Sequence, residues 1–375
     1  MKAKLILERM KDSRLLERRE GYSRSFIKGL IDLLYLSHAQ LVNSAPYTAA
    51  KIALGATLSL AQEKSLGMLR VAAPGGYGHL MFSRSSSEWG FLAGHLIGIV
   101  VGSDGAPPAP TDHAMKQAIF HGQNGALAPG IVDSYDTGDD QNSSNTYDSS
   151  KVYTPVFLPA RGFRFSSAWF KMWRTGNPGT LDIELYNLTR NSGSGESSFQ
   201  INVANLDGNA ISNVSPGDFY EAVFAPVDLY PDCWYRLSVS APAGNSTNKI
   251  NVRQDASGPN HVRWRGSSDT GSITLFRLSG SANPELLYGG CELYGMNIAH
   301  PNGSFSIRRI FTNASGEAVT VNSCGIYACA QRYVYSSGPI WTVYPYCIAR
   351  DIVSPGITLN NGEILAVTYI PQITV

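Results

Sequence analysis

Paired carboxylates, histidines and aromatic side chains are the residues of this chain that could do chemistry. Asp182 with Glu184, or Asp255 with Asp269, could flank a sugar bond as the two carboxylates of a glycoside hydrolase do. Acidic residues on the outer face of a strand are the commoner use of such spacing, because positions two apart on a strand share a face. The chain is therefore expected not to be an enzyme and to have no catalytic residues. His38, His79, His95, His113, His121, His261 and His300 include no pair at the i, i+4 spacing of a helical metal site. There is no Gly-x-Ser-x-Gly elbow, and Ala73-Pro-Gly-Gly-Tyr-Gly78 lacks the Lys and the following helix of a phosphate loop. No metal and no cofactor is expected.

The aromatic residues suggest binding instead. Trp169, Trp173, Trp234 and Trp264, with Tyr186, Tyr220, Tyr230 and Tyr235, could offer flat surfaces on which sugar rings stack, with neighbouring Asn, Asp and Arg supplying hydrogen bonds. Trp173, Tyr186, Trp234 and Trp264 are the candidate glycan-binding residues. The same residue types also fill sandwich cores, and strand alternation sends about half of them inward. The Asp-rich stretch from Asp133 to Asp148, with Asp136, Asp139 and Asp140, could gather oxygen ligands for calcium. It lacks the Gly and terminal Glu of a helix-loop-helix calcium loop and reads as a solvated linker.

The elements that must position these residues read mainly as strands. The 375 residues are 43% apolar and 16% charged, enough for two domains with cores of their own. A net charge of +1 argues against a nucleic-acid partner, which needs a basic face. The five cysteines show no Cys-x-x-Cys spacing and read as buried thiols. The longest apolar run, Phe91 to Val101, is interrupted by His95 and too short to span a membrane, so a soluble protein made in a cytoplasm is expected.

Residues 3 to 20 place Leu5, Leu7, Met10, Leu15 and Leu16 among charges with helical spacing, and Gly21 ends the pattern. A second helix is expected from Phe26 to Val42, its wide apolar face including Phe26, Leu30, Leu33 and Leu34. That face needs a cover, so these four are the candidate assembly residues. Residues 151 to 285 alternate in short segments divided by Gly, Asn and Pro, the pattern of a β-sandwich. Residues 305 to 375 alternate likewise, with Phe305, Ile307, Arg309 and Phe311 on one face, and turns at Asn313 to Gly316 and Asn360 to Gly362.

Three segments carry a resemblance: Trp173-Arg-Thr-Gly-Asn-Pro-Gly-Thr-Leu-Asp-Ile-Glu-Leu-Tyr186, Leu229-Tyr-Pro-Asp-Cys-Trp-Tyr-Arg-Leu-Ser-Val239 and Ser267-Ser-Asp-Thr-Gly-Ser-Ile-Thr-Leu-Phe276. They resemble jelly-roll modules of phage tail proteins and secreted carbohydrate-binding proteins. Gly98-Ile-Val-Val-Gly-Ser-Asp104 and Pro110-Thr-Asp-His-Ala-Met-Lys-Gln-Ala-Ile-Phe-His-Gly122 resemble a segment of tailed-phage virion proteins. Arg309-Ile-Phe-Thr-Asn-Ala-Ser-Gly316, Ala349-Arg-Asp351 and Asn361-Gly-Glu-Ile-Leu-Ala-Val-Thr-Tyr369 resemble the strands that follow in those proteins. Where such relatives often carry Glu-Val-Gly-Leu, this chain has Ser323-Cys-Gly-Ile326, so no role of that Glu transfers.

The resemblance implies a mainly β protein with an N-terminal helical anchor (1–45), a split β assembly domain (46–126 plus 286–375) and an inserted jelly-roll sandwich with its linkers (127–285). The linkers would be Asp133 to Asp148 and Ser279 to Pro284. It implies a virion component of the tail, collar or fibre whose partners are copies of itself and other virion proteins. The sandwich would face outward, toward a host-surface polysaccharide. The alternatives are a glycan-binding adhesin module and, third, a polysaccharide hydrolase.

Overall fold

The computed structural model describes residues 2–23, 49–51, 57–59, 98–109, 112, 114–136, 142–148, 150–154, 156–190, 196–231, 233–255, 264–265, 273–299, 302–335 and 339–374. The fold is mainly β. The chain forms two compact units: one comprises Met1–Ala126, Arg190–Gly195 and Asn283–Val375, the other Leu127–Thr189 and Glu196–Ala282.

The N-terminal part of the first unit supplies β1 (Lys2–Lys11), β2 (Arg14–Ser23), β3 (Ala49–Lys51), β4 (Thr57–Ser59) and β5 (Gly98–Gly102). The helix expected over residues 3 to 20 is instead the hairpin of β1 and β2. Ala3, Leu5 and Leu7 are buried at a period of two, whereas Leu15 and Leu16, which completed the helical pattern, are 49% and 41% exposed. Asp12 and Ser13 turn the chain with φ of 47° and 64°, the two positive angles of a tight hairpin turn. The charges between the apolar positions meet across the strands: Lys4 with Glu20 at 2.6 Å and Glu8 with Arg18 at 3.4 Å. The expected second helix, with Phe26, Leu30, Leu33 and Leu34, lies outside the described residues.

The second unit holds β6 (Leu127–Tyr135), β7 (Asn142–Thr146), β8 (Lys151–Tyr153), β9 (Val156–Phe157), β10 (Phe163–Thr175), β11 (Thr180–Arg190), β12 (Glu196–Asp207), β13 (Asp218–Leu229), β14 (Trp234–Ser240), β15 (Lys249–Asp255), β16 (Trp264–Arg265), β17 (Ile273–Thr274) and β18 (Phe276–Ala282). They form two antiparallel sheets. One follows the order β17-β15-β10-β18-β6, with β13 and β7 pairing to β10 and β15; the other runs β12-β11-β14-β9-β16, with β8 pairing to β14. Their inner faces meet through aromatic rings: Phe157 lies 6.0 Å from Tyr235 in its own sheet and 6.1 Å from Phe276 in the opposite one. Each such ring contributes roughly 1.5–3 kcal/mol by leaving water.

Both stretches expected to be linkers are strand in part. Leu127–Tyr135 pairs with β18, and Asn142–Thr146 pairs with β15 from Ile250 to Gln254. Ser279, Gly280 and Ala282 belong to β18 itself. Gly, Ser and Asp lower strand propensity, but a partner strand on a twisted sheet overrides that weak preference.

The first unit closes with β19 (Leu287–Ala299), β20 (Asn302–Thr312), β21 (Val319–Tyr335), β22 (Pro339–Leu359) and β23 (Ile364–Thr374). One sheet has the order β19-β20-β23-β1-β2, and a second has β22-β21-β5. Ile307, Arg309 and Phe311 are buried with Arg308 and Ile310 less so, the expected alternation, whereas Leu365, Ala366, Val367, Thr368 and Tyr369 are all buried and do not alternate. Arg309 shares the buried face and donates from Nη1 to the Ile99 carbonyl of β5 at 2.8 Å. The Pro-rich stretch after β5 is tied down by Arg350 of β22, which is fully buried. Its Nη1 donates to Asp112 at 3.0 Å, and its Nη2 donates to Asp104 at 3.1 Å and to the Ala106 carbonyl at 2.9 Å. Asn313 locks the other end of the sheet, donating to the carbonyls of Glu317 at 2.7 Å and Leu359 at 2.8 Å.

Candidate functional site

The register of β11, β14 and β8 builds a polar aromatic surface. Ile183, Leu185, Tyr235, Leu237, Val239 and Val152 alternate into the core. Their neighbours on the opposite face pair in rows: Glu184 with Ser238, Tyr186 with Arg236, and Ser238 with Tyr153. Lys151 and Trp234 have the same parity, Lys151 opposite Ser240 and Trp234 opposite Leu188. Tyr153 is 41% exposed, and Trp234 and Tyr186 are half-buried.

Glu184 organises one side of this surface. Its Oε2 accepts from Lys151 Nζ, from the Tyr186 hydroxyl at 2.7 Å and from Ser238 Oγ at 2.9 Å. Lys151 Nζ also donates to the Tyr186 hydroxyl at 2.9 Å. Burial pushes the Glu184 carboxyl up, but the three donors, Lys151 first, outweigh it and hold the group below its ordinary range. Burial opposes the charge of Lys151, and the bonds to Glu184 and Tyr186 more than restore it, so its pKa is raised. Lysine and carboxylate are thus mutually neutralised, and the Tyr186 ring is held in one orientation.

Arg236 organises the other side. Its guanidinium stacks over the Tyr153 ring, 4.2 Å from the centroid. Its Nε is enclosed without an acceptor, and no hydrogen bond or ion pair to Arg236 occurs among the described residues. Arginines on the other sheet are engaged differently. Arg277 donates to Asp136 at 2.6 Å while lying over Phe219, and Arg253 lies over Trp173 and donates to the Pro216 carbonyl at 3.3 Å.

Of the four residues singled out for glycan binding, Tyr186 and Trp234 therefore share this face. Trp173 is on β10 of the opposite sheet, under Arg253, and does not join them. Trp264 lies in β16, in register with Phe157. Tyr186, Trp234 and Trp264 thus belong to one sheet of the unit and Trp173 to the other. Lys151, Tyr153, Arg236 and Ser238 were missed; the alternation Lys151-Val152-Tyr153 beside Trp234-Tyr-Arg-Leu-Ser238 was the available signal.

Of the carboxylate pairs, Asp182 Oδ1 accepts from Asn205 at 2.8 Å, and Asp255 is buried and accepts from the Tyr135 hydroxyl at 2.6 Å. Asp269 lies outside the described residues. A general acid needs a carboxyl kept protonated near neutrality, and Glu184 is held in the opposite state. Among the described residues no cluster of His, Cys, Asp or Glu could hold a metal ion. Within the Asp133 to Asp148 stretch, read as a linker in preference to a calcium loop, Asp136 is the ion-pair partner of Arg277. Cys233, Cys291, Cys324 and Cys347 are buried thiols. No helix among the described residues is long and apolar enough to cross a membrane.

No family model and no curated protein sequence matches this chain.

Proposed function

We propose that the chain is a structural component of a tailed-phage virion, in the tail, collar or fibre, whose second unit binds host-surface polysaccharide without catalysis. The first unit assembles with copies of itself and other virion proteins, with Phe26, Leu30, Leu33 and Leu34 as the assembly residues. The second is a jelly roll. Its consecutive strands β9, β10, β11, then β12, β13, β14 and β15 pass back and forth between the two sheets, as that winding requires.

The surface of Tyr153, Tyr186, Trp234, Lys151 and Arg236 carries the binding reading. Flat rings beside fixed polar groups suit a sugar, which offers an apolar ring face and a rim of hydroxyls. Two contacts favour binding over hydrolysis: Glu184 is ionised and spent on three donors, and Asp182 is bonded to Asn205. The virion reading draws on the phage-like segments: Asp104 and Asp112 of one meet Arg350 of another in the core.

The test is an array of bacterial surface polysaccharides probed with the full chain. Binding that Tyr153→Ala weakens is the expected result, and no binding to any surface polysaccharide overturns the reading. Sedimentation tests assembly. A homo-oligomer is expected, and a well-behaved monomer at micromolar concentration would count against it.

A further inference from the structure

We propose that the polysaccharide is acidic, and that Arg236 receives the carboxylate of a uronic acid unit while the neighbouring rings carry the sugar. The inference rests on the carbohydrate-binding reading and adds the charge of the ligand to it.

Lys151 is compensated by Glu184, and that pair is tied further to Tyr186 and Ser238. Arg236 has no such partner among the described residues. Among the described residues its one interaction is the stack on Tyr153. A guanidinium that stacks uses its flat face and leaves its N–H edges in the plane, where a carboxylate accepts two parallel bonds. With Nε enclosed, the two Nη groups form the edge left for a ligand.

Position points the same way. Arg236 is on β14, between β11 and β8. Tyr186 lies directly opposite it on one side, and Tyr153 lies diagonally on the other, opposite Ser238. Trp234 follows two residues along the same face. A cation flanked by two phenols and an indole fits a sugar that brings one in-plane anion together with an apolar ring face. A neutral sugar would leave the Arg236 edge desolvated without a partner, which disfavours it. On the opposite sheet Arg277 already has Asp136 as its carboxylate, so the same argument does not extend there.

The experiment prints a set of uronate-containing bacterial polysaccharides beside their carboxyl-reduced, neutral forms and probes both with the full chain, wild type, Arg236→Gln and Arg236→Lys. The expected result is binding to acidic forms that falls roughly ten- to hundredfold on carboxyl reduction, the ratio for one charge-assisted hydrogen-bonded pair. Arg236→Gln should lose a similar factor with Glu184 and the fold intact by circular dichroism. Arg236→Lys should recover little, because an ammonium cannot present the two-pronged edge. Equal binding to acidic and reduced forms overturns this inference and leaves carbohydrate binding standing. Binding to neither form overturns both. Undiminished binding by Arg236→Lys reduces the site to a point charge and overturns the two-pronged assignment.

Discussion

Arg350 in the first unit and Arg236 in the second present one side chain in opposite surroundings. Arg350 is fully buried, and the fold surrounds it with two carboxylates and a carbonyl drawn from the stretch between Asp104 and Asp112. Arg236 is half-buried on an outer face, stacked on Tyr153, with no hydrogen bond among the described residues. Removing a buried charge from water costs several kcal/mol, so the interior arginine exists only because its partners do. A surface arginine carries no such obligation. The first is a fastener, and the second fastens nothing among the described residues beyond its stack on Tyr153.

Arg350→Ala should produce the largest effect. It leaves Asp104 without its cation and Asp112 with only the exposed Lys116 at 3.5 Å, and breaking one side of a buried pair destabilises by about 3–5 kcal/mol. Denaturant unfolding with hydrogen exchange on the amides of 98–122 checks it, and unchanged protection there would mean that Arg350 is no fastener. Asn313→Ala comes next. The buried Leu359 carbonyl and the more exposed Glu317 carbonyl each lose a donor, for a loss of about 1–3 kcal/mol in the same experiment.

The Glu184 cluster should give a smaller and pH-dependent effect. Its folded pKa lies below the unfolded one, so its contribution is complete above the ordinary carboxylate range and disappears as pH falls through the folded value. Lys151, with its pKa raised, contributes below the ordinary lysine range and loses that contribution only as pH rises through its folded value. Glu184→Gln should therefore cost about 1 kcal/mol at neutral pH. Stability curves of the variant and the wild type should converge in acid. A difference that persists at low pH would mean that the carboxylate charge is not what holds Lys151 and Tyr186.

Arg236→Gln should have the smallest effect on stability, about 0.5–1 kcal/mol, the worth of one cation–π stack on a partly exposed face. A loss as large as that of Arg350→Ala would erase the distinction between the two arginines.

Much of the strand pattern was legible in the sequence. Phe163–Thr175, Trp234–Ser240 and Lys249–Asp255 follow apolar alternation and Gly, Asn and Pro punctuation, which act within a few residues. The turns at Asn313 and Asn360 were legible for the same reason: Gly316 and Gly362 adopt φ of 82° and 83°, angles that glycine accepts without penalty. The N-terminal hairpin was misread, because alternating charges and leucines fit a helix nearly as well as a strand until β23 is seen beside β1. Leu127–Tyr135 was missed because its Gly, Pro and Asp carry weak local preference and only pairing with β18 makes it a strand.

The candidate surface divides along the same line. Local residue types identified Tyr186 and Trp234 as rings of interest and placed Arg309 on the same face as Ile307 and Phe311. Only the tertiary structure separated Trp173 from Tyr186, brought Lys151 to Glu184 and left Arg236 on Tyr153. Alternation assigns a residue to one of two faces, but which strand lies alongside, and in what register, is set by pairings between segments far apart in the chain. A one-residue slip would turn every one of these side chains to the other face.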